Sequence, residues 1–210
     1  MTALHEILQS YDAMKKQHRS GVLAMVVNVR GSSTCRPGAR MLITEEGETT
    51  GTLGSSTLDA AIVNKRAKSI SSGKIFTLAY DNAPETEKEN LTQGGISVLH
   101  LILEPIPTWE ISPHLEFIRR SLSSESVGII AMIFRVDGEI KVSAGERVMV
   151  KGNGIVEAST SNPFVNAALL TDCRDILQTH QSSIKRYNFT EGVVEAFIEV
   201  IQSDTSLQWK

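Results

Sequence analysis

Cysteine is scarce in this chain, which has only Cys35 and Cys173 among its 210 residues. The two stand far apart and form no CxxC pair, so their spacing predicts neither a disulfide framework nor a zinc site. Proteins that rely on disulfides usually belong to oxidising compartments. We therefore expect a reducing, cytoplasmic environment for this protein.

Aromatic residues and excess charge are scarce as well. Aromatic residues make up 5% of the chain, and the formal net charge is −3. The sequence therefore offers neither a base-stacking platform nor the basic field that attracts nucleic acid or anionic membranes. Its apolar runs have the length of strands and are too short to span a bilayer as helices, and its polar N-terminus does not resemble a signal peptide. We expect no nucleic-acid partner and no membrane partner.

A polar loop, GSSTCRPGARM from Gly31 to Met41, separates two apolar strands predicted at Val22–Val29 and Met41–Ile43. Two glycines and a proline restrict the backbone of this loop. Its hydroxyl and guanidinium donors suit an anion, most simply a phosphate. An ordinary hairpin turn with solvated arginines is the alternative interpretation. The candidate binding residues of this first loop are Ser32, Ser33, Arg36 and Arg40.

A second loop, GTLGSST from Gly51 to Thr57, leads into a helix predicted over Thr57–Ser71. The free N–H groups and the dipole of a helix N-terminus favour a phosphate, although simple capping by Ser55 or Ser56 is an alternative. A third loop, LTQGG from Leu91 to Gly95, precedes another strand. If the three loops converge, they form a glycine-lined polar pocket. The candidate binding residues of the second and third loops are Gly54, Ser55, Ser56, Thr57, Gln93 and Gly94.

The sequence also matches itself at a constant shift of 107 residues (131 − 24 = 107). A constant shift with a matched apolar pattern indicates an internal repeat. After the matched pair Tyr80 and Tyr187 the shift falls to 97 (192 − 95 = 97). We therefore expect about ten extra residues after Asp81 in the first copy. The matched pairs are Ala24 with Ala131, Gly31 with Gly138, Gly38 with Gly145, Arg40 with Arg147, Tyr80 with Tyr187 and, at the shorter shift, Gly95 with Gly192.

Each copy is predicted to form a helix, two strands, a short strand, a helix and two further strands. This order predicts an α/β protein with mixed β-sheets flanked by helices, built as two similar halves from an internal duplication. The junction falls near Glu104–Pro107, giving halves of residues 1–107 and 108–210. The second half lacks the hydroxyl run of the first loop and has ASTSNP, from Ala158 to Pro163, in place of the second, so the loop chemistry is kept mainly in the first half. We therefore expect the first half to carry the site and the second to complete the fold.

No catalytic constellation is evident in the sequence. Asp59 and Glu104 are isolated candidates for an acid or a base. Cys35 is the one candidate nucleophile, because the neighbouring Arg36 cation would favour its thiolate. Four of the five scattered histidines are expected at the surface and the fifth is expected to pack on a strand; the four are His5, His18, His114 and His180, and the fifth is His100.

Taken together, three motifs resemble the XdhC/CoxI family, whose members are accessory factors for molybdenum hydroxylases such as xanthine dehydrogenase and carbon monoxide dehydrogenase. The motifs are GSSxxRPGARM from Gly31, GxLGSSTL from Gly51, and GGIxVL from Gly94, which is followed by Glu104 and Pro105. The resemblance is strong from Val22 to Ile106. It implies a non-enzymatic maturation factor that binds the molybdenum cofactor, molybdopterin, and delivers it after sulfuration to a molybdenum hydroxylase apoenzyme.

The resemblance also implies a homodimer, and it adds a separate Rossmann-domain protein or a cysteine desulfurase as an expected partner. The sequence departs from the family pattern at Thr57 and Gln93, where the family carries cysteines, and it contains no GxGxxG segment. It thus lacks soft sulfur ligands at those two positions. Two alternatives stay open: a diverged interaction scaffold that binds no cofactor, and an enzyme that acts on a phosphorylated small molecule through Cys35.

Overall fold

The structure, a computed structural model, describes residues 3–81, 98–124 and 126–202. The chain divides into two compact units, Met1–Glu110 and Ile111–Lys210. Each unit contains one five-stranded sheet with helices packed against it. Among the described residues, no helix has the length and apolar character needed to cross a membrane.

The first unit is built around strand β1, whose sequence Val22–Val27 is buried without interruption. A continuous apolar run of this kind is typical of a strand that is covered on both faces. The sheet order is β3-β2-β1-β5-β4. The elements are α1 (Ala3–Lys16), β1 (Gly21–Arg30), β2 (Arg40–Thr44), β3 (Thr49–Gly51), α2 (Ser56–Val63), α3 (Arg66–Ser72), β4 (Phe76–Asp81) and β5 (Val98–Ile106).

The second unit has the same arrangement around its own buried strand, β6. Its sheet order is β8-β7-β6-β10-β9, which is the order of the first unit with each strand replaced by its counterpart. The elements are α4 (Pro113–Ser123), β6 (Gly128–Gly138), β7 (Arg147–Lys151), β8 (Val156–Ala158), α5 (Pro163–Thr179), β9 (Ser183–Phe189) and β10 (Gly192–Ile201).

The likeness of the two units extends to their irregularities. The central strand pair of the first unit has a β-bulge between Val26 and Asn28. The second unit has its bulge opposite Ile133 and Arg135, which lie 107 residues later (133 − 26 = 107). The helices that precede β4 and β9 end in left-handed caps at Gly73 and His180, again 107 residues apart. The predicted α/β architecture with two similar halves is thus confirmed, and the likeness fits a duplication.

Each sheet is covered on both faces. Because successive side chains of a strand point to opposite sides, a buried strand needs a packing partner on each face. In the first unit, Val22, Ala24 and Val26 share a core with Leu58 and Ile62 of α2. Helix α1 packs against β2 and β3. It buries Ile7, Leu8, Tyr11 and Met14, which follow the three- and four-residue spacing of one helix face. In the second unit, α5 contributes its own buried face to the corresponding core, with Val165, Leu169, Cys173 and Ile176.

Two details of the sheets differ from expectation. We expected mixed sheets, but the strands pair only in the antiparallel sense among the described residues, because hairpins join neighbouring strands and β5 returns against β1. The shift in the last strand is also 95 and not 97, because Ile106 lies opposite Gly21 and Ile201 lies opposite Gly128 (201 − 106 = 95). The first half therefore has twelve extra residues (107 − 95 = 12), which fall between Asp81 and Val98, outside the described residues.

The helix predicted over Thr57–Ser71 is in fact two helices, α2 and α3, with a break at Asn64 and Lys65. The Arg66 guanidinium donates to the carbonyl of Val63 at 2.8 Å and to that of Glu45, in the β2–β3 turn, at 3.3 Å. These bonds satisfy a carbonyl at the end of α2 and tie the break to the neighbouring turn.

The placement of His114 on α4 also differs from expectation. We expected it at the surface, but it is fully buried. It lies on the same helix face as Phe117, Ile118 and Ser121, three, four and seven residues later, and this face of α4 is buried.

A lysine clasp holds the segment that follows β5 onto the first unit. The Nζ atom of Lys15, near the end of α1, donates to the carbonyls of Pro107 at 2.9 Å, Thr108, and Glu110 at 2.7 Å. An ammonium group has three donors, and here all three meet backbone oxygens. The clasp thus joins α1 to the last residues of the first unit, which extends to Glu110.

We predict that Lys15→Met destabilises the protein while Lys16→Met, one residue later and exposed, does not. Loss of the clasp should lower the free energy of unfolding by about 1.5–3 kcal/mol, the range for hydrogen bonds that involve a charged group. Substitution of Lys16 should change it by less than about 0.5 kcal/mol. Urea denaturation followed by circular dichroism measures both values. Equal effects from the two variants would show that the clasp adds nothing to stability.

Candidate functional site

The first loop is folded back onto the middle of β1, at Val26, by a pair of backbone hydrogen bonds. The N–H of Val26 donates to the carbonyl of Ala39 at 2.9 Å, and the carbonyl of Val26 accepts from the N–H of Gly38 at 2.8 Å. Gly38 has a φ of 90°, which a glycine adopts without strain. This arrangement holds the stretch from Ser32 to Arg36 beyond the end of the sheet.

The first and second loops meet. The hydroxyl of Thr34 donates to the carbonyl of Gly54 at 3.1 Å. Gly54 has a φ of 106°, and a Cβ atom at this position would lie 2.9 Å from the Cα atom of Cys35. Only glycine therefore allows this close approach. Two of the three predicted loops thus converge at one end of the sheet.

Asp59 braces the second loop from within helix α2. One carboxylate oxygen accepts from the N–H of Leu53 at 2.9 Å, and the other accepts from the hydroxyl of Thr52 at 2.7 Å. The Thr52 hydroxyl in turn accepts from the N–H of Gly54 at 3.0 Å. From the sequence we interpreted Asp59 as an isolated acid or base, and the bracing roles of Thr34 and Thr52 were missed. The sequence signal for the role of Asp59 was its place in the first turn of a helix, where an acidic side chain is favoured near free N–H groups.

The hydroxyl groups of the second loop lie at the start of α2. Ser55 occupies the N-cap position but makes no capping bond through its side chain. Ser56 and Thr57 follow it in the first turn and are exposed. Capping by Ser55, the simple alternative for this loop, is therefore not what the structure shows.

The two arginines of the first loop differ in their placement. Arg36 is exposed, as a ligand-binding cation requires. Arg40 is only 4% exposed, and its guanidinium donates to the carbonyl of Gly38 at 3.0 Å. Its counterpart Arg147 makes the same contact with Gly145 at 3.1 Å, in a half without the hydroxyl run. Arg40 therefore braces the loop.

The two thiols are buried. Cys35 is 5% exposed and packs in the core of the first unit with Leu53 and Leu58. Cys173 is fully buried, and its burial, followed by the negative charge of Asp172, raises its pKa to about 12. Neither thiol is placed to attack a ligand at the converging loops, which weighs against the interpretation of Cys35 as a nucleophile.

Gln93 and Gly94 of the third loop lie outside the described residues. In the second unit, the three loops that correspond to the predicted ones lie close together. They surround a cavity of about 630 Å³. Among its lining residues, the counterparts of Ser32, Ser33, Ser55 and Thr57 are Glu139, Ile140, Asn162 and Phe164, and the β9–β10 turn adds Thr190 and Glu191. Within the described part of the chain, no three His, Cys, Asp or Glu residues gather as metal ligands do.

The class of protein that these observations define is an α/β protein of two similar units, the first of which has converging glycine- and hydroxyl-rich loops. Residues 14–81 match the model of the XdhC and CoxI family. The resemblance predicted from the loop motifs is confirmed over this segment, which contains both converging loops.

A solved structure supports the same fold. The chain is similar to a protein from Bacillus halodurans described as a xanthine dehydrogenase, with a TM-score of 0.62 and 17% identity. The likeness covers 96% of this chain and 53% of the other, so the chain spans about half the length of that relative. At this identity the likeness shows the fold alone. No curated protein matches the chain significantly.

The capping difference between the two units leads to a matched pair of predictions. Asn162 caps α5 by accepting from the N–H groups of Phe164 at 3.0 Å and Val165 at 3.2 Å. Asn162→Ala should therefore lower the free energy of unfolding by about 0.5–2 kcal/mol. The counterpart Ser55→Ala should change it by less than about 0.5 kcal/mol, because no capping bond is lost. Thermal and urea denaturation check both, and a large loss for Ser55→Ala would mean that this serine is a cap.

The buried thiols lead to a second prediction. Neither cysteine should react with a water-soluble disulfide reagent in the folded protein, and both should react once guanidinium chloride unfolds it, because the reagent needs an accessible thiolate. Absorbance of the released aromatic thiol measures the reaction. A rapid phase in the folded protein that disappears in Cys35→Ser would contradict this and would favour the enzymatic alternative.

Proposed function

We propose that this chain is a non-enzymatic accessory factor of molybdenum hydroxylases that binds phosphorylated molybdopterin at the converging loops of its first unit and hands it to a target apoenzyme. The family match over residues 14–81 and the fold likeness support the accessory role. The observation that carries the binding site is the contact between the two motif loops at Thr34 and Gly54. This contact builds one polar surface from motifs twenty residues apart.

The charge of the loops supports a negatively charged cargo. Residues 31–40 contain Arg36 and Arg40 and no acidic residue, so they carry a formal charge of +2; the carboxylate beside the second loop, Asp59, is engaged by Leu53 and Thr52. The corresponding residues 138–147 contain two acidic and two basic side chains and are neutral. A phosphate accepts strong, charge-assisted hydrogen bonds from a guanidinium group. The first unit is therefore the better match for the phosphate of the cofactor.

The donor set fits the phosphate and the pterin better than the metal. Serine and threonine hydroxyls and exposed glycine backbone suit the polar pterin and its phosphate. A soft sulfur ligand for molybdenum would need an accessible thiol, but Cys35 is buried and Thr57 is exposed at the position of one family cysteine. We therefore infer that the chain holds the cofactor through its organic part.

The partners follow from the same reasoning and stay proposals. A molybdenum hydroxylase apoenzyme would receive the cofactor. A separate Rossmann-domain protein is a further proposed partner, and a cysteine desulfurase would supply sulfur. The homodimer remains a prediction. The second candidate function is an interaction scaffold without cofactor, which the loss of both family cysteines favours.

We expect purified molybdopterin to bind the protein under anaerobic, reducing conditions, and Arg36→Ala to bind it roughly tenfold to a hundredfold more weakly, as loss of a charged hydrogen bond does. Lys141→Ala is the matched control, because Lys141 is an exposed cation on the corresponding loop of the second unit, and it should bind like wild type. Isothermal titration calorimetry measures all three.

The same proteins separate the two candidate functions. Equal loss of binding in Arg36→Ala and Lys141→Ala would contradict the site. If none of the folded proteins binds the cofactor while both wild type and Arg36→Ala capture a molybdenum hydroxylase apoenzyme, the scaffold is the correct function.

A further inference from the structure

In the second unit, one carboxylate joins the two loops that correspond to the candidate site. The first side-chain oxygen of Glu146 accepts from the N–H of Ser143 at 2.7 Å. The second accepts from the N–H of Ser161 at 2.7 Å. Ser143 belongs to the loop between β6 and β7, and Ser161 to the loop before α5. These are short, charge-assisted bonds, so this position in the fold recognises an anionic group through backbone donors of both loops.

The first unit shares the loop frame at this position, except at Gly54, whose φ of 106° its counterpart Ser161 does not have. The Val26 bonds to Ala39 and Gly38 recur in the second unit, where the N–H of Ile133 donates to the Glu146 carbonyl at 2.9 Å and its carbonyl accepts from Gly145 at 2.7 Å. The brace of the second loop recurs too. The N–H of Thr160 donates to the Asn166 side chain at 3.1 Å, as that of Leu53 donates to Asp59 at 2.9 Å. At the shift of 107, the counterparts of Glu146, Ser143 and Ser161 are Ala39, Arg36 and Gly54.

The internal carboxylate lies elsewhere in the first unit, because Asp59, whose counterpart is the neutral Asn166, contacts Leu53 and Thr52 and not Arg36 or Gly54. Ala39 has only a methyl group and cannot reach the donors that Glu146 reaches. The N–H of Gly54 instead donates to the neutral hydroxyl of Thr52 at 3.0 Å. The Thr52 hydroxyl also donates to Asp59. An anion is a stronger acceptor for the Gly54 N–H than this neutral hydroxyl is. Arg36 adds an exposed cation where the second unit has Ser143.

We propose that the first unit takes from its ligand the anionic group that Glu146 supplies internally in the second unit, with the N–H groups of Arg36 and Gly54 as its donors and Ala39 as the residue that keeps the position open. The second unit is by the same reasoning a closed copy, because its anion position is filled by its own side chain. The anion site rests on the geometry of the two units, whereas its assignment to the phosphate of molybdopterin rests on the proposed function.

The first test places a carboxylate where the proposal requires the ligand's anion. In Ala39→Glu, the new side chain should fill the position as Glu146 does. We expect inorganic phosphate and molybdopterin to bind at least about tenfold more weakly to Ala39→Glu than to Ala39→Gln, an uncharged variant of the same length, because only the former adds a competing anion. Equal weakening by both variants would mean that size alone matters, and wild-type affinity in Ala39→Glu would place the anion elsewhere. Either result overturns the proposal.

A second measurement needs no substitution. In ¹⁵N-labelled wild-type protein titrated with inorganic phosphate, the amide signals of Arg36 and Gly54 should shift, and those of Ser143 and Ser161, already bonded to Glu146, should not. Shifts confined to other residues would overturn the site whether or not Ala39→Glu folds.

The two experiments separate this proposal from the proposed function. Phosphate binding at Arg36 and Gly54 without molybdopterin binding would keep the anion site and reject the cofactor. Molybdopterin binding that Ala39→Glu does not weaken and that leaves both amides unshifted would keep the cofactor and reject the anion site.

Discussion

The candidate site depends on one constraint, the double backbone contact between Val26 and the loop that follows β1. Val26 donates to the Ala39 carbonyl and accepts from the Gly38 N–H, and the bulge in the pairing of β1 with β5 comes directly after it. A bulge commonly bends a strand and re-aims the side chains beyond it. Because both bonds hold the loop against a buried strand, Ser32 to Arg36 project from a fixed base, and Thr34 can reach Gly54 in the second loop.

The second unit shows that this base does not depend on the chemistry it supports. The same pair of bonds forms around Ile133, and the glycines that follow the two strands, Gly31 and Gly138, both have positive φ. The side chains on the two frames nevertheless differ in charge, in hydroxyl content and in the carboxylate of Glu146. A rigid scaffold that carries variable loops is a common way for proteins to place binding residues. Here both versions stand in one chain, so differences between the units isolate what the loops do.

Most of the fold was predictable from local pattern, because buried strands, helix faces and glycine turns leave periodic signals in the sequence. The two halves follow from such signals, whereas the convergence of the loops was only a condition of the binding hypothesis. What could not be predicted depends on tertiary contacts. The helix break at Asn64 is accompanied by bonds from Arg66 to the carbonyl of Val63 and to that of Glu45 in a distant turn, which no local pattern indicates. The shift of 95 follows from the pairing of Ile106 with Gly21, whereas matching two glycines by identity gave 97. Burial of Arg40 and Cys35 likewise depends on how the loops pack onto the sheet.

Comparison with the second unit distinguishes the roles of the two arginines of the RPGAR motif. Arg40 and Arg147 occur in both halves, are placed at the start of β2 and β7, and donate to the same loop carbonyl. An arginine that is retained where the hydroxyl run is absent has a structural role that explains its presence. Arg36 has no basic counterpart, since Ser143 takes its place, and its side chain is exposed. One of the two guanidinium groups therefore has a structural role, and the other is available to a ligand. The same comparison applies to Ala39. The second unit has a carboxylate at this position that joins its two loops, whereas the first unit has a methyl group and lacks this stabilising contact. A bound anion would supply it.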